Sequence, residues 1–252
     1  MHSRIATSAD DHNGLWVKAG LRRVPVMTLT VFLITVITNT AQVVDSGLVE
    51  SWQRSPQMLH GEWWRLGTAL FVQDGGVLGA VSNLAFLLVL GALCEQVLAR
   101  WEWLACYLGA GVIGEIAGHF WQPVGAGNSV AVCGLAGALV VALWVGDSFL
   151  PTLTPYAAMY WAGALLAQRW WLLGLIFLVA VLPASQVAGR FGAEAARFSA
   201  AVTVVVALAL VGGTDIHGAA LLGGVAIGAL LNLLAPRRHG GRRPRLTTSL
   251  VV

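Results

Sequence analysis

Apolar positions along this chain fall in runs of about 20, not at the two-residue alternation of a half-buried strand. A run of that length as a helix spans the hydrocarbon core of a bilayer. The pattern predicts helices at about 25–44, 77–95, 103–121 and 129–146, a run at 197–212, and a last helix at about 216–235. A polar and aromatic segment, Asp45 to Gly76, separates the first two. The region 150–186 is apolar but broken by Pro151, Pro155 and Pro183, with Gln168 and Arg169 in its middle. Two short helices, at about 152–168 and 170–186, are expected there. With them the chain makes eight crossings, and Ser129 and His217 begin their helices on the same face. A single crossing would put them on opposite faces; six crossings plus a re-entrant pair is the alternative.

Composition agrees with the runs. Of 252 residues, 57% are hydrophobic and 11% charged, against about 25% charged in soluble domains. The mean hydropathy is +0.75. The fold class is therefore all-α, a polytopic membrane helical bundle. A pI near 9.1 raises the question of nucleic acid, but the positions of the charges answer it. Arg22 and Arg23 precede the first apolar run, and Arg237, Arg238, Arg242, Arg243 and Arg245 follow the last. This is the positive-inside pattern, with both termini cytoplasmic, and the plasma membrane is the expected location. The expected partner surface is the lipid bilayer, not nucleic acid. Residues 1–23 read as a cytoplasmic tail without a cleavable signal pattern, 24–236 as the membrane domain and 237–252 as a basic tail. Lys18 is the only lysine. Cys94, Cys106 and Cys133 lie inside apolar runs, which suits small packing residues better than a disulfide framework or a metal site. No cofactor is expected.

Two polar residues stand out. Ser129 in GAGNSVAVCGLAGAL and His217 in GGTDIHGAALLGGVAIGALL each open a helix rich in Gly and Ala. A serine beside a histidine is the minimum set for a nucleophile and its base. Taken alone, Ser129 reads as a helix cap and His217 as an interfacial loop residue. At helical spacing, Ser129 shares a face with Cys133, Ala136, Gly137 and Val140, and His217 with Ala220, Gly224 and Gly228. Small faces of this kind, Gly134 and Gly137 on one helix and Gly224 and Gly228 on the other, let two backbones approach closely. The GxSxG elbow of soluble hydrolases is absent around Ser129. Glu115 and His119, four residues apart on one helical face, read as a buried pair. Trp52, Trp63 and Trp64, with Met58 and Leu59, suit headgroup depth.

The chain resembles the rhomboid intramembrane serine proteases. The resemblance is carried by GEWWRLGTALF (61–71), with Trp64 and Arg65 at the family's Trp-Arg element of the first external loop; by SNLAFLLVLGALCE (82–95), with Asn83, Gly91 and Glu95; and by RWEWLACYLGAGVIGEIAG (100–118). GNSVAVCGLAGAL (127–139) and HGAALLGGVAIG (217–228) match the serine and histidine elements. It covers about 60–145 and 197–235, leaving 150–190 as an insertion. The implied fold is a six-helix core with an extra helical hairpin between the serine and histidine helices. The implied chemistry is a Ser129–His217 dyad with no third acidic residue, so that Asp215 reads as a loop charge. Asn83 and the Ser129 backbone N–H would hold the oxyanion, with Asn128 as an auxiliary donor. Two positions depart from the family pattern. Gly79 stands where a histidine is usual, and Val130 stands where glycine is usual, its branched side chain expected to crowd the oxyanion pocket.

The implied function is endopeptidase cleavage of membrane-anchored proteins near the outer end of a transmembrane helix. A second hypothesis is a rhomboid-like pseudoprotease that binds transmembrane helices without cutting. Gly79 and Val130 favour it; retention of Ser129 and His217 opposes it. The third, a small-solute transporter, rests on Glu115 and the proline-broken region. Neither substrate identity nor oligomeric state follows from the sequence.

Overall fold

The computed structural model describes residues 21–147, 149–188 and 193–234. Most of the N-terminal tail, the whole 237–252 tail with its arginines, Lys18 and Arg190 lie outside the described residues. Within them the chain forms eight long helices: α1 (Val26–Val44), α2 (Gly76–Cys94), α3, α4 (Ser129–Val145), α5 (Thr154–Arg169), α6 (Trp171–Ala188), α7 (Ala193–Gly212) and α8 (Ile216–Leu234). Helix α3 runs from Arg100–Leu104 through a π-helical turn at Ala105–Gly109 into Ala110–Trp121. By length and composition α1, α2, α7 and α8 can each cross a membrane, and α4 is shorter but apolar throughout. The chain is an integral membrane protein.

Hydrocarbon offers no partner to a polar group, so each must be satisfied within the protein. Helix α1 carries five threonines and solves this locally. The hydroxyls of Thr30, Thr35, Thr38 and Thr40 each donate to the carbonyl four residues back. The fifth, Thr28, belongs to a cap. Glu95, just past α2, accepts from the backbone N–H groups of Met27 and Thr28 at 3.0 and 2.7 Å and from the Thr28 hydroxyl at 2.7 Å. The carboxylate thus takes up first-turn donors that no helix can satisfy for itself. Next to it, Gln96 Oε1 accepts from Arg22 and Arg23 N–H. Glu95→Ala leaves three donors without an acceptor and should cost about 1–3 kcal/mol. A lower midpoint in denaturing-detergent titration, restored little by Glu95→Leu, is the expected result.

Tertiary order follows from small residues. A Cβ on Gly134 would collide with the Cys106 carbonyl and Ala110, one on Gly111 would meet Ala131, and one on Gly114 would meet Val130. These pairs run in opposite senses, so α3 and α4 are antiparallel. Gly137 and Gly224 would likewise collide with the backbones of α8 and α4 respectively, and Gly228 sits against Ala138. Those pairs advance together, so α4 and α8 are parallel and start at the same end. The 150–186 region is a helical hairpin turning at Trp170: Gly174 packs on Ala167 and Gly163 on Leu178. Helix α5 is then joined to α7 in parallel by Ser199 Oγ donating to the Pro155 carbonyl at 2.8 Å and Arg169 donating to the Gly213 carbonyl at 3.2 Å. Cys94, Cys106 and Cys133 are buried and unpaired.

Candidate active site

Ser129 is the first residue of α4, and Asn128 holds the cap position without a side-chain cap bond. His217 is the second residue of α8. Because the two helices are parallel and glycine-lined, their first turns meet: Ser129 Oγ lies 3.0 Å from His217 Nε2. The serine is thus engaged with a side chain 88 residues away and does not serve as the cap it resembles in isolation.

The other ring nitrogen is also held. His217 Nδ1 lies 2.7 Å from Asp215 Oδ1, and the His217 backbone N–H donates to the same oxygen at 3.0 Å. Asp215 is 7% exposed. The expectation that it is a mere loop charge is corrected: it is a carboxylate locked onto the imidazole. Burial works to raise its pKa, but the hydrogen bonds and charge of His217, with Arg169 beyond, hold the carboxyl below its ordinary value. A proton on Nδ1, shared with Asp215, leaves the Nε2 lone pair toward Ser129. The turn that sets this up is strained. Thr214 adopts the left-handed conformation, φ 56°, which costs a non-glycine residue on the order of 1 kcal/mol. The sequence signal was the spacing D-x-H in a turn, where an Asx side chain readily bonds the backbone two residues on.

Asp215→Ala should lower turnover by up to about 10⁴-fold, the scale seen when the orienting carboxylate of a soluble triad is neutralised. Its pH signature is a second test. The depressed carboxyl contributes stability that is present above the ordinary aspartate range, about 4, and is lost as pH falls through the lower folded-state value. Between pH 7 and 5 wild-type stability should not change through this group, and Asp215→Asn should blunt the loss below pH 4.

Ser129 is approached by a loop clamped from three sides. Gly127 N–H donates to the Ala69 carbonyl at 2.9 Å, and Ala126 N–H to Asp74 Oδ2 at 2.9 Å. The third clamp is Arg54, 1% exposed. Its backbone pairs with Gly125 and its Nε donates to the Gln122 carbonyl at 2.8 Å. Its guanidinium forms an ion pair with the fully buried Glu115. This corrects the expected Glu115–His119 pair: an arginine is always charged and brings a fork of donors, whereas a histidine must first be protonated. Among the described residues His119 Nδ1 has no hydrogen-bond partner. Nothing in the sequence spacing links Arg54 to Glu115, 61 residues on.

The remaining candidates fall as follows. Asn83 is 3% exposed and its Nδ2 donates to Gln73 Oε1 at 2.9 Å. Asn128 is 1% exposed, and among the described residues neither of its amide atoms has a hydrogen-bond partner. Gly134, Gly137, Gly224 and Gly228 form the α4–α8 contact. The Val130 side chain packs against Gly114 of α3. Arg65 ties the loop between α1 and α2 to itself, donating to the Glu50 and Gln53 carbonyls and pairing with Glu62. Trp63, Trp64 and Leu59 are exposed, but Met58 is buried and is not part of the outward face.

A Rhomboid domain model matches residues 60–179. That stretch contains Ser129 and the first part of the α5–α6 hairpin and stops short of Asp215 and His217. Among curated relatives, rhomboid protease GluP of Bacillus subtilis (strain 168) is 36% identical over 118 residues, covering 46% of this chain and 22% of the relative. Rhomboid protease AarA of Providencia stuartii is 25% identical over 143 residues, covering 46% of this chain and 50% of the relative. The chain thus spans half or less of the length of these relatives. No solved structure matches the chain.

Proposed function

We propose that this rhomboid-family chain, whose family domain runs over residues 60–179, is an intramembrane serine endopeptidase acting on membrane-anchored proteins near the end of a transmembrane helix. The observation that carries the reading is the contact series Ser129 Oγ–His217 Nε2 at 3.0 Å and His217 Nδ1–Asp215 Oδ1 at 2.7 Å.

In this reading Ser129 Oγ attacks the scissile carbonyl while Nε2 of His217 takes its proton. The new Oγ–C bond forms as the carbonyl π pair moves onto oxygen. The backbone N–H of Ser129 lies in the first turn of α4, where no helix carbonyl can reach it, and it donates to that oxygen. Collapse returns the proton to the leaving amine and leaves an acyl-Ser129 ester. Water then repeats the sequence, with His217 as base, and frees the acid. Asp215 holds the ring in place and balances the imidazolium. The substrate must locally unwind, because a peptide bond in a regular helix is shielded by its own hydrogen bonds. Cytoplasmic termini and a plasma-membrane location belong to the same proposal, as does the division into tails of 1–23 and 237–252 around a membrane domain of 24–236.

The test is covalent. An activity-based fluorophosphonate applied to the detergent-solubilised full chain should attach to one peptide, and tandem mass spectrometry should place the adduct on Ser129. An adduct at another serine, or none on folded protein, sinks the reading.

A further inference from the structure

The oxyanion side of Ser129 is built around a residue that the sequence pattern does not mark. Gln73 lies in the loop before α2 and is 7% exposed. Its backbone is gripped on both edges by one side chain: Gln42 Nε2 donates to the Gln73 carbonyl at 2.8 Å, and the Gln73 N–H donates to Gln42 Oε1 at 3.0 Å. Its side-chain oxygen accepts from Asn83 Nδ2 at 2.9 Å. With Oε1 engaged there, Nε2 is the free end of the amide. Among the described residues Nε2 has no hydrogen-bond partner.

The free donor lies in a notch that two glycines leave open at the start of α2. A Cβ on Gly75 would lie 2.8 Å from Gln73 Nε2, and one on Gly79 would lie 3.0 Å from it. The same amide also lies near the nucleophile. A single point, the place of a Cβ on Gly127, is 3.2 Å from Ser129 Oγ, 3.4 Å from Gln73 Oε1 and 3.9 Å from Gln73 Nε2. The hydroxyl and the amide thus border one common space beside Gly127. A donor that is held in place and unpaired is available to a charge that develops only during reaction.

We propose that Gln73 is a catalytic residue of this site: its Nε2 amide, oriented by Asn83, donates to the carbonyl oxygen as Ser129 attacks. This rests on Ser129 being the nucleophile. Asn83, whose Nδ2 is spent on Gln73, is then a positioning residue, and its expected direct oxyanion role passes to Gln73. Gly79 is the opening that lets the amide in.

The experiment compares full-length wild type, Gln73→Glu, Gln73→Met, Asn83→Ala and Ser129→Ala in detergent. It measures the fluorophosphonate labelling rate, kcat and KM on a membrane-anchored reporter, and thermal unfolding, with rates normalised to folded protein. Both Gln73 variants keep the side-chain length, and Gln73→Glu keeps an acceptor for Asn83. The expected result is a fall of about 10²–10³ in kcat and in labelling for both, with KM unchanged. Asn83→Ala should fall less, because the amide remains but is no longer oriented. Labelling and kcat of both Gln73 variants within threefold of wild type, with Ser129→Ala inactive, overturn the Gln73 proposal and leave the nucleophile standing. Activity persisting in Ser129→Ala, or folded wild type that neither labels nor cleaves, overturns the nucleophile and this proposal with it.

Discussion

Ser129→Ala should lower kcat on a membrane-anchored reporter by about 10⁶-fold, and His217→Ala by about as much, the scale at which a soluble serine protease loses its nucleophile or its base. The reason is the shared contact. With Oγ and Nε2 3.0 Å apart, the two groups act as one unit: the hydroxyl attacks only as its proton leaves. The double variant should therefore be no slower than either single one. KM should stay constant, since neither side chain is needed to dock a substrate helix. Thermal unfolding of Ser129→Ala should hardly move, because Ser129 opens its helix without capping it, whereas His217→Ala should unfold somewhat earlier, because the buried Asp215 carboxylate loses its imidazole partner. Additive losses in the double variant would mean that the residues work separately. Full activity in either single variant would remove the hydrolytic mechanism altogether.

Gly224→Leu should abolish activity by a different route. Gly224 lies against the Gly134 backbone, and even a Cβ there would collide with the Gly134 carbonyl and Cα. Backbone cannot rotate aside as a side chain does, so α8 must move away from α4 as a body. Overpacking of an ordinary core costs about 1–3 kcal/mol; backbone collision in the central helix pair lies at or beyond the top of that range. Displacing α8 by the width of a side chain also carries His217 out of hydrogen-bond reach of Ser129. The expected result is no fluorophosphonate labelling, together with a lowered unfolding temperature. Gly224→Ala should behave similarly but less severely. Gly212→Ala at the end of α7, where a Cβ meets nothing within 4 Å, should label as wild type. Normal labelling in Gly224→Leu would show that the α4–α8 approach does not set the site.

Most helices were legible because each is a run of apolar residues, and burial in lipid leaves no other stable backbone arrangement. The turn at Trp170 was expected from parity, since two helices between the Ser129 and His217 helices let both residues start on the same face. The small residues at Gly134, Gly137, Gly224 and Gly228 likewise announced a close contact. What could not be read was lateral chemistry. Glu115 and His119 are neighbours on one helix, so spacing suggested a pair, but a buried carboxylate is best met by a cation that needs no added proton, and Arg54 arrives from another segment. Gln73 looks like any loop glutamine until Asn83 and the glycines of α2 are folded around it. Asp215 was the one missed residue with a local signal. It lies two positions before His217, yet a resemblance that requires no third residue led away from it.

The parallel pairing of α4 with α8 also has a consequence in time. Ser129 leaves the ribosome 88 residues before His217, and α8 is the last of the described helices. At about 5–20 residues/s that gap lasts about 4–18 s. Throughout it Ser129 is an ordinary alcohol with nothing to accept its proton. In the proposed mechanism a nascent chain is thus chemically silent toward its neighbours at the translocon until α8 docks against α4.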